Sequence, residues 1–135
     1  MLRYLIAYVA TAVVFLAADS IWLTRAIGFY KNALGDLIAD KPNLGAAAVF
    51  YSLYVLGIVV LVVMPATRSG GWQSAMVLGG MLGLVAYATY DLTNLATLSR
   101  WSIQVTVVDM VWGTIVTAVS SLAGFFAVRM FTADP

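Results

Sequence analysis

The chain has 135 residues and a net charge of +1, with 63% hydrophobic residues, only 10% charged residues and a mean hydropathy of +0.98. An ordinary soluble domain is about 25% charged, so this composition excludes a soluble domain, a disordered chain and a nucleic-acid binder, and leaves an integral membrane protein. The absence of Cys, His and Glu removes disulfides, thiolate and imidazole metal ligands and the commonest general base.

Hydropathy divides the chain into four runs. Residues 4–23 form the first, with one charge, Asp19. Arg3 precedes it as in a leader peptide, but the apolar stretch continues through Ile21 and Trp22. It therefore reads as a span and not as a cleaved signal. Residues 46–64 form the second run and carry no charge. Residues 74–98 form the third, with Asp91, and residues 103–128 the fourth, with Asp109. Each is long enough for a bilayer core, which takes about 20 helical residues. Lipid satisfies no backbone polar group, so the spans must be helices.

The connection between the first two spans is the longest. In it Ile27, Tyr30, Leu34, Leu37 and Ile38 recur every three or four residues, with Lys31, Asp36 and Asp40 between them. This pattern predicts an amphipathic helix over residues 26–40, lying in the membrane interface. Pro42 would stop it, and residues 43–45 would turn the chain back. The other connections, residues 65–73 and 99–102, are short, which makes successive spans antiparallel neighbours. The expected fold is an all-α membrane protein: one domain, four transmembrane helices in an up-down-up-down bundle, and an interfacial amphipathic helix between the first two. Arg3, Arg68 and Arg129 fall on the side of the termini, and Arg25, Lys31, Lys41 and Arg100 on the other. So even a balance sets no orientation.

The charges inside the spans carry the information. On insertion scales an ionisable residue at the centre of a span costs roughly 2.5–3.5 kcal/mol. Asp19, Asp91 and Asp109 fall toward one membrane face in this topology, near the far end of the first and third helices and the start of the fourth. One polar cavity lined by three carboxylates is expected. Trp22 follows Asp19 by three residues, and Trp112 follows Asp109 at the same spacing, so each pair shares a helix face. Tyr87, Asp91 and Asn94 share a face of the third helix, with Tyr90 beside them. The hydroxyl-rich run 88–96 could bind a ligand or bridge helices. Gly79 and Gly83 form a GxxxG pair that reads as helix packing, and Trp72 and Trp101 read as interfacial anchors.

These residues carry a resemblance. Asp19-Ser-Ile-Trp22-Leu23, Phe29-Tyr30, Phe50-Tyr51, the run from Tyr87 to Asn94, and Asp109-Met-Val-Trp112-Gly113 resemble the bacterial membrane family catalogued as domain of unknown function 2177. The resemblance implies a small four-span protein of the bacterial inner (cytoplasmic) membrane and implies no activity.

Three functions fit the residues. The first is binding or transport of a small molecule, cation or lipid. An acidic, aromatic-lined cavity suits an organic cation, with Asp19, Asp91 and Asp109 for charge and proton coupling and Trp22, Trp112 and Tyr90 for stacking. The second is a lipid-modifying enzyme, in which the Asp cluster and Asn94 hold Mg²⁺ through oxygen ligands. The third is a structural accessory subunit whose Asp residues, with Arg25 and Arg100, only hold helices together; it predicts no ligand-sized pocket. Membrane lipids are the expected partners, a homo-oligomer is compatible, and no cofactor or resident metal is named by the residues.

Overall fold

The computed structural model describes residues 1–132; Asp134 lies outside them. Four helices are long and apolar enough to cross a membrane: α1 (Leu2–Leu34), α2 (Leu44–Arg68), α3 (Gly71–Thr97) and α4 (Ile103–Phe131). No strand is present among the described residues.

α1 is longer than the sequence pattern suggested. Its 33 residues extend about 50 Å at 1.5 Å per residue, well beyond a hydrocarbon core of about 30 Å. The first part of the segment expected to form a separate interfacial helix, residues 26–34, is the end of α1. Only a 3₁₀ turn, Gly35–Leu37, follows. The helix stops before Pro42 is reached, because Gly35 adopts φ 56°, a left-handed conformation that a side chain disfavours. The apolar stripe is real, and protein covers part of it. Tyr30 and Leu34 pack with Val105 of α4, and Ile38, Phe29 and Trp101 pack around them. Leu37, in contrast, is well exposed, at 45%.

α2 begins where the Asn43 side chain accepts a hydrogen bond from the Ala46 N–H at 3.0 Å, an N-cap. It does not end at Pro65. A π-helical stretch, Val59–Val63, precedes the proline, and the helix resumes over Met64–Arg68. Pro65 has no N–H to donate, and its ring crowds the carbonyl four residues back. The widened turn, in which the Met64 N–H donates to the Val59 carbonyl, absorbs that defect. The connection to α3 thus shrinks to Ser69 and Gly70, with Gly70 at φ 104°. Ser102 caps α4, accepting from the Val105 N–H at 3.2 Å.

α4 is the central helix. It packs along both α3 and α1, while α2 reaches α3 and α4 through its π segment and the Met64–Arg68 turn that follows. The main core surrounds that segment: Phe15 of α1, Val55, Ile58, Val59 and Val63 of α2, and Val116 and Val128 of α4. The α3–α4 contact is close because α3 presents glycine. A Cβ at Gly83 would meet the Gly113 carbonyl and, at 2.8 Å, the Thr117 side chain, and one at Gly79 would meet Ser121. At Gly80 the nearest atom would stand at 3.7 Å, an ordinary contact. The first half of α2 touches this core through Tyr51 and Tyr54 on Phe15, and its other face is open, with Leu44, Val49 and Leu53 each more than 60% exposed.

Candidate functional site

Toward the end that carries the long tip of α1, the four helices enclose a cavity of about 520 Å³, within the usual size range of ligand sites, roughly 300–1,000 Å³. Two carboxylates, Asp19 of α1 and Asp109 of α4, reach it. Its remaining wall is almost wholly aromatic and aliphatic.

Each carboxylate is held by neutral donors. Asp19 accepts the Trp112 indole N–H on Oδ1 at 3.1 Å and the Tyr51 hydroxyl on Oδ2. Asp109 Oδ1 accepts the Tyr30 hydroxyl at 2.7 Å, and the Tyr30 oxygen in turn accepts the Trp22 indole N–H at 3.0 Å. The two Asp-x-x-Trp segments are therefore cross-connected. The α4 indole binds the α1 carboxylate directly, and the α1 indole reaches the α4 carboxylate through one phenol. Phenol and indole satisfy oxygen lone pairs but bring no positive charge. No Lys or Arg lines the cavity among the described residues.

Of the residues the sequence singled out, Asp19, Trp22, Tyr87, Tyr90, Asp109 and Trp112 meet at this wall. Asp91 and Asn94 do not. Asp91 is fully buried between α3 and α4, beside Asp109, and neither of its oxygens has a hydrogen-bond donor. The expected cavity of three carboxylates is thus one of two, with the third behind the wall. At 100° per residue Asp91 stands about 40° from Tyr87 and about 100° from Tyr90, on the other side of Tyr87 from Tyr90, where it is buried beside Asp109 of α4. The hydroxyls of the 88–96 run do not bridge helices either. Thr89 bonds the Val85 carbonyl at 2.7 Å, and Thr93 bonds the Thr89 and Tyr90 carbonyls, all within α3. Hydroxyls in helices commonly return to the preceding turn.

The cation balance differs as well. Arg100 pairs with Asp36 at 2.7 Å on the exposed rim, joining the turn after α1 to the α3–α4 connection, and so does not complete an Asp/Arg network around the cavity. Among the described residues no three acidic side chains converge as metal ligands, so the geometry gives no support to a Mg²⁺ site of three Asp and Asn94.

Sequence reasoning missed four aromatic wall residues. Tyr30 and Tyr51 are hydrogen-bond donors to the two carboxylates, Phe50 stacks on Tyr54 at 5.3 Å, and Trp101 meets Tyr90 edge-on at 5.8 Å. The only early signal was that Tyr30 and Tyr51 fall within the family-like segments. Trp101 is part of the wall, with its N–H on Thr106 Oγ1 at 3.1 Å, where an interfacial anchor was expected. Trp72 is exposed at 45% and takes no part.

No curated protein and no solved structure matches the chain. A family model described as "Predicted membrane protein (DUF2177)" matches residues 4–126. The chain therefore belongs to the DUF2177 family of predicted membrane proteins.

Proposed function

We propose that this protein binds a lipophilic organic cation or amine in the cavity between its four helices, and that it does so in a bacterial cytoplasmic membrane. The observation that carries this reading is the pairing of two carboxylates with an aromatic wall that holds no Lys or Arg among the described residues. A carboxylate whose partners are neutral hydrogen-bond donors keeps its charge available to a ligand. A cation placed between Asp19 and Asp109 gains charge-assisted contacts, and ring faces nearby add about 0.5–2 kcal/mol each. A purely structural subunit needs no cavity of this size. Transport is the same reading extended, with release of the cation on the other side of the membrane.

The test is a titration of the protein in lipid nanodiscs with tetraphenylphosphonium, read by tryptophan fluorescence, because Trp22 and Trp112 lie in the wall. Saturable quenching is expected. Removing either charge by Asp19→Asn or Asp109→Asn should weaken it about tenfold or more, the equivalent of about 1.4 kcal/mol. A linear, unsaturated response, identical in wild type and both variants, would be simple partitioning into lipid and would sink the proposal. Proteoliposome flux of the same cation then separates a carrier from a binding protein.

A further inference from the structure

We infer that the cavity opens sideways into the bilayer between α2 and α3, and that its occupant is an amphiphile with a cationic head and a hydrocarbon tail, taken from the lipid phase. The nature of the occupant rests on the binding reading above; the sideways opening does not.

The opening follows from how α2 and α3 meet. Their rings touch at Tyr54 and Tyr87, edge-on with centroids 6.4 Å apart. Below that point α3 meets α2 at the π segment and the Met64–Arg68 turn, and the core is closed. Above it α3 stays on α4 while the first half of α2 stays on α1, through Tyr51 on Asp19 and Phe15. Phe50 of α2 and Tyr90 of α3 lie on opposite sides of this gap. Both line the cavity, yet they are 46% and 58% exposed. Each sits about 9–11 Å inside its helix end at 1.5 Å per residue, so the surface they expose faces lipid tails and not water. Toward the aqueous end, Leu34, Ile38 and Trp101 pack together with Val105 and wall the cavity. The exposed route is therefore apolar and lateral, and the inner wall, with Asp19 and Asp109, is polar at two points. A molecule that enters head first and leaves its tail in the gap matches both ends.

Cysteine chemistry tests the opening without any ligand, because the chain has no Cys. In a Trp72→Phe/Trp101→Phe background, the remaining emission comes from Trp22 and Trp112. In bilayers of brominated phosphatidylcholine this emission should be strongly quenched, whereas aqueous iodide should leave it nearly unchanged. Tyr90→Cys carrying a bulky maleimide should relieve the bromolipid quenching, and the same label on a Val77→Cys variant, on the exposed part of α3 remote from the gap, should not. Quenching by iodide but not by bromolipid, or no effect of the label on the Tyr90→Cys variant, would overturn the lateral opening. A second arm tests the occupant: dodecyltrimethylammonium should bind saturably and tetramethylammonium should not. If the quenching arm succeeds and neither cation binds, the opening stands and the cationic occupant, together with the function proposed above, is wrong. If both cations bind equally, the tail has no role and the amphiphile assignment is wrong.

Discussion

The indole rings of Trp22 and Trp112 lie stacked, with centroids 4.6 Å apart and planes 8° from parallel. One comes from α1 and the other from the antiparallel α4, each three residues after an Asp. Stacking places both N–H groups so that each serves the other helix's carboxylate, Trp112 directly and Trp22 through Tyr30. The pair therefore sets the α1–α4 register at the level of the cavity. It also fixes where the two acids stand relative to each other, which is what a site for one cation requires.

Asp19 is held by two donors. Asp19→Asn keeps one oxygen acceptor for the Trp112 N–H, and the Tyr51 hydroxyl can turn to accept from the new amide. Asp19→Leu leaves the indole N–H buried without a partner, a loss of about 1–3 kcal/mol. Unfolding in detergent should rank wild type and Asp19→Asn together and above Asp19→Leu. Equal stability of all three would mean that the two hydrogen bonds contribute nothing to the α1–α4 contact.

Asp91 should behave in the opposite way. Its oxygens are buried with no donor and lie beside a second carboxyl group. Asp91→Asn preserves the shape, takes one carboxyl group out of the buried pair and supplies an N–H₂ that can donate to Asp109. The variant should unfold at a higher temperature than wild type at neutral pH. A fall in stability would show that the Asp91 carboxyl is itself a structural element.

Glycine at position 113 is a packing requirement. A Cβ there would run into the ring of Tyr87, whereas one at Gly80 would meet Thr114 only at 3.7 Å. Gly113→Ala must push Tyr87 out of the cavity wall and should cost about 1–3 kcal/mol, the usual range for overpacking. Gly80→Ala should be neutral or stabilising, because it removes backbone entropy from the unfolded chain at an unstrained helical site. Thermal unfolding of the two variants side by side checks the contrast. A harmless Gly113→Ala would mean that Tyr87 can leave the wall freely.

Much of this architecture was legible because lipid narrows the choices. Apolar runs of adequate length must be helices, and the Asp-x-x-Trp spacing puts acid and indole on one face whatever surrounds them. What was not legible depends on partners distant in sequence. Periodicity in residues 27–38 announces an apolar face but not what covers it, and Val105 and Trp101 cover the part formed by Tyr30, Leu34 and Ile38. Tyr51 and Asp19 are 32 positions apart and Tyr30 and Asp109 are 79 apart, so no local pattern joins them. Pro65 reads as a span end, yet the π segment lets α2 carry on through it. Asp91 shares a face with Tyr87, about 40° round the helix, yet it is buried beside Asp109 of α4 and not in the cavity wall, which no pattern within the run announces.

The relay from Trp22 to Asp109 makes a quantitative expectation. Tyr30 both accepts and donates, so Tyr30→Phe strips Trp22 of its acceptor and Asp109 of its donor at once. Trp22→Phe keeps a ring on Trp112 and removes only the first bond. Tyr30→Phe should therefore be the more damaging single change. Once it is made, adding Trp22→Phe should cost little, because the bond it deletes is already gone. Double-mutant cycles of hydrogen bonds in membrane helices give about 0.6 kcal/mol on average and up to about 1.7. A coupling in that range, measured by unfolding in detergent, is expected for Trp22 and Tyr30. Simple additivity of the two changes would show that the relay is a geometric coincidence and that stacking alone positions Trp22.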